Sequence, residues 1–138
     1  MNTPTVLVAA LDWGLGHATR CIPVIKLLQQ LEVKILLGSS GRAAELWKDE
    51  FPELEQIELP AYNPSYPADG NMVWHMALQS QRLLGVIKAE RKLLPELIKK
   101  HGITHLISDS RFGLSNASIP TAFITHQVYI RMPGIMRI

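Results

Sequence analysis

The sequence predicts an α/β domain in which an open parallel sheet of about five strands is covered by helices on both faces. Three features point there. The run TVLVAA (5–10) is continuously apolar rather than alternating, as a strand buried on both faces is. Segments with apolar residues at helical spacing separate this run from later ones of similar character. Glycine and proline mark most of the boundaries. Strands that alternate with helices in this way make a parallel sheet with right-handed crossovers, and 138 residues, 47% of them apolar, suffice for one domain with a single core.

The elements follow in order. After the first strand, LDWGLGHATR (11–20) forms a glycine turn that leads into a helix marked by Ile22, Ile25, Leu28 and Leu31. Val33 to Leu37 is the second strand, closed by Gly38, Ser39, Ser40 and Gly41, and Arg42 to Asp49 is a short helix that ends before Pro52. Gln56 to Leu59 is the third strand, and Pro60 to Gly70 is a loop containing Pro64 and Pro67, either a ligand rim or a plain surface connection. From Asn71 to His101 the pattern is helical, with Met76, Leu83, Ile87, Leu94 and Ile98 on one stripe. Pro95 predicts a kink or a second helix within that span, and Gly102 stops it. Ile103 to Ser108 is the fourth strand, 109–119 a loop or short helix, and Thr121 to Thr125 the fifth strand. The tail VYIRMPGIMRI (128–138) is apolar and shows no final helix. The expectation is an incomplete domain over residues 1–138, either a piece of a longer protein or a chain that covers its open edge by self-association.

Composition excludes several classes of function. Lys and Arg number 14 against 12 Asp and Glu, and a net charge of +2 does not suggest a nucleic-acid partner. The single cysteine, Cys21, excludes a disulfide framework and a zinc site built from several thiolates. His75, His101 and His105 have no metal-ligand spacing with acids or with Cys21, so no metal site is expected. No apolar run approaches the roughly 20 residues that cross a bilayer, and the N-terminus does not read as a signal peptide. A cytoplasmic protein is expected. The segment 82–100 carries six Lys and Arg against Glu90 and Glu96; a solvated outer face is its stronger reading, and peripheral contact with an anionic membrane surface the weaker one. Trp47, Trp74, Met72 and Met76 read as core or interface residues.

In an open parallel sheet, ligands bind beyond the carboxyl ends of the strands, where strand order reverses. Those ends deliver Asp12, Gly14, Gly16, His17 and Thr19 after the first strand and Ser39, Ser40 and Arg42 after the second. Ser108, Asp109 and Arg111 follow the fourth strand, and His126 and Gln127 the fifth. Gly14 and Gly16 permit a tight turn and close approach by a ligand, and the helix behind them offers free N–H groups and a positive dipole to an anion. A simple strand-to-helix turn needs glycine as well. His17 projects from that loop, either as a base near neutral pH or as a residue that only holds the loop. Asp109 either orients that imidazole, binds a substrate hydroxyl or caps the next short helix. A dinucleotide fingerprint fits poorly, since the third glycine is replaced and no acid ends the second strand; NADP stays open through Arg42. No P-loop is present in the run after Gly14.

LVAALDWGLGHATR (7–20), with IPVIKLL behind it, resembles the opening of a GT-B glycosyltransferase, in the group related to the UDP-N-acetylglucosamine transferases of peptidoglycan synthesis. HLISDSRFGL (105–114) and IPTAFITHQ (119–127) resemble the fourth and fifth strands of that family's N-terminal domain, which is Rossmann-like. The resemblance implies transfer of a sugar from a nucleotide-sugar donor to an acceptor, without a metal or other cofactor, in a cleft between two such domains. Carried over, Gly14 and Gly16, with Thr19, face the donor diphosphate, and His17 is the active-site histidine with Asp109 beside it. Ser39, Arg111, His126 and Gln127 are the acceptor-side candidates. THQ here only approximates the family's HEQ motif, so the acceptor is not copied across. The family's donor-binding C-terminal domain is not in the sequence, and the chain alone is expected to be inactive. The alternatives are a noncatalytic binding module of a split glycosyltransferase and an NADP-binding oxidoreductase domain.

Overall fold

The computed structural model describes residues 2–63 and 72–126. Strands β1 (Thr5–Ala10), β2 (Lys34–Ser39), β3 (Glu55–Glu58), β4 (His105–Asp109) and β5 (Thr121–Ile124) form one sheet in the order β3-β2-β1-β4-β5. Every pairing is parallel. Helices α1 (Gly16–Leu28), α2 (Gly41–Glu50) and α3 (Met72–His101) complete the described elements, so the Rossmann-like α/β expectation holds.

The two-sided burial of β1 follows from its central place. Val6, Val8 and Ala10 face α1 and α2 in a core with Ile25, Trp47 and Phe51. Leu7 and Ala9 face the other way, onto Leu36, Leu94, Leu106 and Leu114. Alternate side chains thus feed opposite cores, and a continuous apolar run satisfies both. Trp47 also donates its indole N–H to the Ala18 carbonyl at 3.0 Å, which ties α2 to α1.

Four expectations about the elements are refined. Of the two alternatives at Pro95, a kink or a second helix, the second helix does not form, since α3 runs through Pro95. Pro95 and Arg91, whose carbonyl loses its helical donor, are both exposed, so solvent can meet the orphaned group and the helix need not end. Within the expected stripe Leu94 is fully buried, whereas Met76 is 42% exposed, as Trp74 is at 62%. The sheet is covered by the last turns of α3, through Leu93, Leu94, Leu97 and Ile98. Leu31 lies beyond the end of α1 and is exposed. Strand limits shift by a residue or two because the ladder sets them: β4 runs beside β1 from His105, opposite Val6, to Asp109, opposite Ala10. Among the described residues no helix is long and apolar enough to cross a membrane. The tail 128–138 and most of the Pro60–Gly70 loop lie outside the described residues.

Candidate functional site at the β1–β4 switch point

Strand β1 is flanked by β2 on one side and β4 on the other, so strand order reverses between β1 and β4. That is where an open α/β sheet parts its loops into a crevice. Asp109 is the last residue of β4, and its carbonyl accepts from the Leu11 N–H at 3.0 Å, which locks it beside the glycine loop. Gly14 sits at φ +70°, a conformation that favours glycine, and the loop enters α1 at Gly16. His17 is therefore in the first turn of α1, directly over the end of β4.

The contact is made. His17 Nδ1 lies 2.9 Å from Asp109 Oδ1. The Asp109 side chain is fully buried and that of His17 is 13% exposed. Arg20, one turn further along α1, grips the same carboxylate from Nε and Nη2 and reaches His126 Nδ1 with Nη1 at 3.2 Å. The His17 and His126 rings stand 5.9 Å apart between centroids. Residues from the ends of β1, β4 and β5 thus meet around one buried carboxylate.

Electrostatics follow the geometry. Burial of the Asp109 carboxyl works against its charge, but hydrogen bonds from Arg20 and His17, with the Arg20 charge, outweigh burial and hold the carboxyl below its usual range. Arg20 is held more firmly protonated, chiefly by its hydrogen bond to Asp109. Burial, then the Asp109 charge, pushes the Cys21 thiol up to about 12. Cys21 accordingly stays a neutral S–H, 3.4 Å from Asp109 Oδ2.

The other expected residues divide. Gly14 and Gly16 are exposed, and a Cβ at either would meet nothing within 4 Å among the described residues. Thr19 is exposed on α1. Ser39 and Arg111, expected on the acceptor side, face inward instead. The Ser39 hydroxyl donates to the Ala10 carbonyl at 2.9 Å. Arg111 is fully buried and spends its guanidinium on Ala10 O, Pro60 O, Ser40 Oγ and Glu90 Oε1, all within 3.0 Å. Ser110, at φ +59°, turns the chain after β4 and donates its N–H to Ile124 O at 3.0 Å. Gln127 lies outside the described residues.

Two groups were missed by sequence reasoning. Arg20 carried a signal, since it stands three residues after His17 on the same helical face. Glu90 carried one as well: it falls at apolar spacing between Ile87 and Leu94. It is fully buried and accepts from Arg111 Nη1 at 2.8 Å, the Tyr62 hydroxyl at 2.6 Å and the Gly113 N–H at 3.0 Å. Burial, then the hydrogen bond to Glu90, raises the Tyr62 phenol.

A cleft of about 330 Å³ borders the glycine loop, lined by Trp13, Tyr62, Met76, Gln79, Ser80 and Leu83. A larger apolar groove of about 500 Å³ lies at the amino ends of the strands, near Pro4, Val33, His105 and Pro120, away from His17. Among the described residues no group of three or more His, Cys, Asp or Glu is placed to hold a metal ion.

Fold and crevice together define a Rossmann-like α/β domain with an imidazole–carboxylate pair at its switch point. No protein-family model matches the chain, and no curated protein sequence does. Solved structures do. One is UGT2 of Phytolacca americana complexed with UDP-2fluoro-glucose and pterostilbene: TM-score 0.59, 19% identity, covering 89% of this chain and 30% of that one. Another is LpCGTa in complex with UDP: TM-score 0.58, 20% identity, covering 88% of this chain and 30% of that one. Both are UDP-glycosyltransferases of the GT-B fold, and identity this low shows the fold alone. The chain spans about a third of the length of each.

Proposed function

We propose that this chain is the acceptor-side part of a glycosyltransferase that moves a sugar from a nucleotide-sugar donor to a hydroxyl of its acceptor. The observation that carries the reading is the 2.9 Å contact between His17 Nδ1 and Asp109 Oδ1. An ionised carboxylate only accepts hydrogen bonds, so His17 Nδ1 carries the proton and Nε2 keeps its lone pair. Nε2 then takes the proton of the acceptor hydroxyl as that oxygen bonds to the anomeric carbon of the sugar. The bond from that carbon to the nucleotide diphosphate breaks in the same displacement, and the diphosphate leaves with the electron pair. Imidazolium forms beside Asp109, whose charge stabilises it.

The glycine loop supports the donor side of the reading. Backbone conformation calls for glycine at Gly14, but among the described residues nothing occupies the space a side chain at Gly16 would fill. Close approach of a ligand accounts for the glycine at Gly16, while the turn itself accounts for Gly14. Leu15 at the head of α1 supplies no side-chain cap, and no acid sits in the first turn, so the helix offers its N–H groups and dipole to a developing diphosphate charge. The cleft at Trp13, Tyr62 and Met76 suits a flat, apolar part of the acceptor.

Because the chain spans 30% of its structural neighbours, the donor's nucleotide is assigned to a second domain, in the same polypeptide or in a partner. His17→Ala tests the reading in the complete enzyme. Turnover is expected to fall by about 10²–10⁴, with stability falling by no more than about 1–3 kcal/mol, which the lost hydrogen bond to Asp109 accounts for. Parallel loss of turnover and stability would make His17 structural. NADPH at saturation is expected to leave the melting temperature unmoved; a rise matching about 2.7 kcal/mol at 100 times Kd would favour an oxidoreductase instead.

A further inference from the structure

We propose that Arg20 is a positioning residue that holds His126 in the tautomer opposite to that of His17, so that the two rings offer one acceptor and one donor nitrogen to the same substrate hydroxyl. The tautomers are a property of the free protein; only the hydroxyl rests on the glycosyl-transfer reading above.

The argument is one of donors and acceptors. A guanidinium has five N–H donors, no acceptor, and stays charged at any working pH. Any imidazole nitrogen that bonds it must accept. His126 Nδ1, 3.2 Å from Arg20 Nη1, is therefore unprotonated, and the neutral ring carries its proton on Nε2. His17 faces the opposite demand, since Asp109 Oδ1 at 2.9 Å requires a proton on Nδ1. Arg20 Nη2 also lies 3.4 Å from His17 Nδ1 and asks for the reverse tautomer. The shorter contact, to a charged acceptor, is the stronger and decides the state.

Arg20 suits the task through its shape. Nε and Nη2 close on the two oxygens of Asp109, which fixes the plane of the fork, and that plane aims Nη1 at His126. Lysine, a point charge on a flexible stem, holds either partner but not both in fixed geometry. His126 is exposed, just beyond β5, and among its described contacts are Arg20 and the His17 ring. With a lone pair on His17 Nε2 and a proton on His126 Nε2, the pair matches a hydroxyl, which donates one hydrogen bond and accepts another.

The test reads the tautomers directly. Two-bond proton–nitrogen NMR spectra are recorded on the full chain with ¹⁵N-labelled histidine at about pH 8.5, two units above the ordinary imidazole pKa. His17→Gln and His126→Gln each remove one of the five histidines' sets of peaks and so assign that set to its residue. The expected pattern is an unprotonated Nε2 for His17 and an unprotonated Nδ1 for His126. In Arg20→Gln and Arg20→Lys the His126 signals should move toward a mixture of tautomers while those of His17 hold. His126 protonated on Nδ1 in the wild type overturns the proposal, as does His17 protonated on Nε2. A pure His126 tautomer that survives both Arg20 variants overturns it too. Should a variant fail to fold, the wild-type spectrum still decides. The tautomers as stated, with no glycosyl transfer by the complete enzyme, would sink the functional reading and leave this one standing.

Discussion

Arg111 with Glu90 and Arg20 with Asp109 are both arginine–carboxylate pairs at the carboxyl end of the same sheet, yet their surroundings differ. Arg111 and Glu90 are both 0% exposed, whereas Arg20 keeps 32% of its side chain in solvent above a buried Asp109. The buried pair uses up its hydrogen bonds on the scaffold: Arg111 joins β1, the Pro60 segment and the head of α2, and Glu90 adds Tyr62 and Gly113. The half-open pair ends on two imidazoles that border the crevice. An ion pair whose donors and acceptors are all satisfied internally holds a fold together. One that passes its order outward to titratable rings prepares a surface for chemistry.

The largest test of this contrast is Glu90→Ala. It strands the Arg111 charge in the core, and breaking a buried pair from one side costs about 3–5 kcal/mol. Urea unfolding of the chain should show that loss, and a change under 1 kcal/mol would mean that Arg111 reaches solvent. Replacing both partners with apolar residues of similar volume should cost less than Glu90→Ala alone, because no charge is then left buried.

Asp109→Asn should cost less, about 1–3 kcal/mol near pH 7, since Arg20 can turn to water. This loss should depend on pH. The Asp109 carboxyl titrates lower in the folded chain than in the unfolded one. Its stabilisation is therefore complete above the unfolded pKa of about 3.9 and disappears as pH falls through the folded value. The gap between urea melts of wild type and variant should begin to narrow at about pH 4 and close only once pH is below the folded value; a gap that stays constant would show that the charge of Asp109 contributes nothing.

Lys34→Ala gives the smallest effect. Lys34 and Glu55 form an ion pair at 3.4 Å with about half of each side chain exposed, a setting worth about 0.5 kcal/mol or less. A loss above 1 kcal/mol in urea would show that exposure is a poor guide to the weight of ion pairs in this chain.

Much of the architecture was legible because it depends on local pattern. The unbroken run at β1, the helical spacing after Gly16 and the end of α3 before Gly102 each follow from short stretches of chain, and the structure repeats them. The meeting of His17 with Asp109 was also accessible, because strand alternation puts the ends of β1 and β4 at one crevice. Arg20 was accessible in principle through its spacing from His17. The inward turn of Ser39 was not, since it answers to the Ala10 carbonyl on a neighbouring strand.

The sequence by itself determined the order of strands and helices, the glycine loop and the imidazole it presents, because backbone conformation and hydrophobic period are set within a few residues. Only the tertiary structure decided which arginine faces the crevice. Arg111 follows Asp109 by two residues and looked the better candidate, but Ser110 turns the chain at φ +59° and Glu90, from a helix 21 residues away in sequence, waits in the core to pair with it. Arg20 comes to Asp109 across 89 residues of chain. A charged side chain goes where its counter-charge and hydrogen-bond partners are, and those partners are assembled by packing rather than by neighbours in sequence.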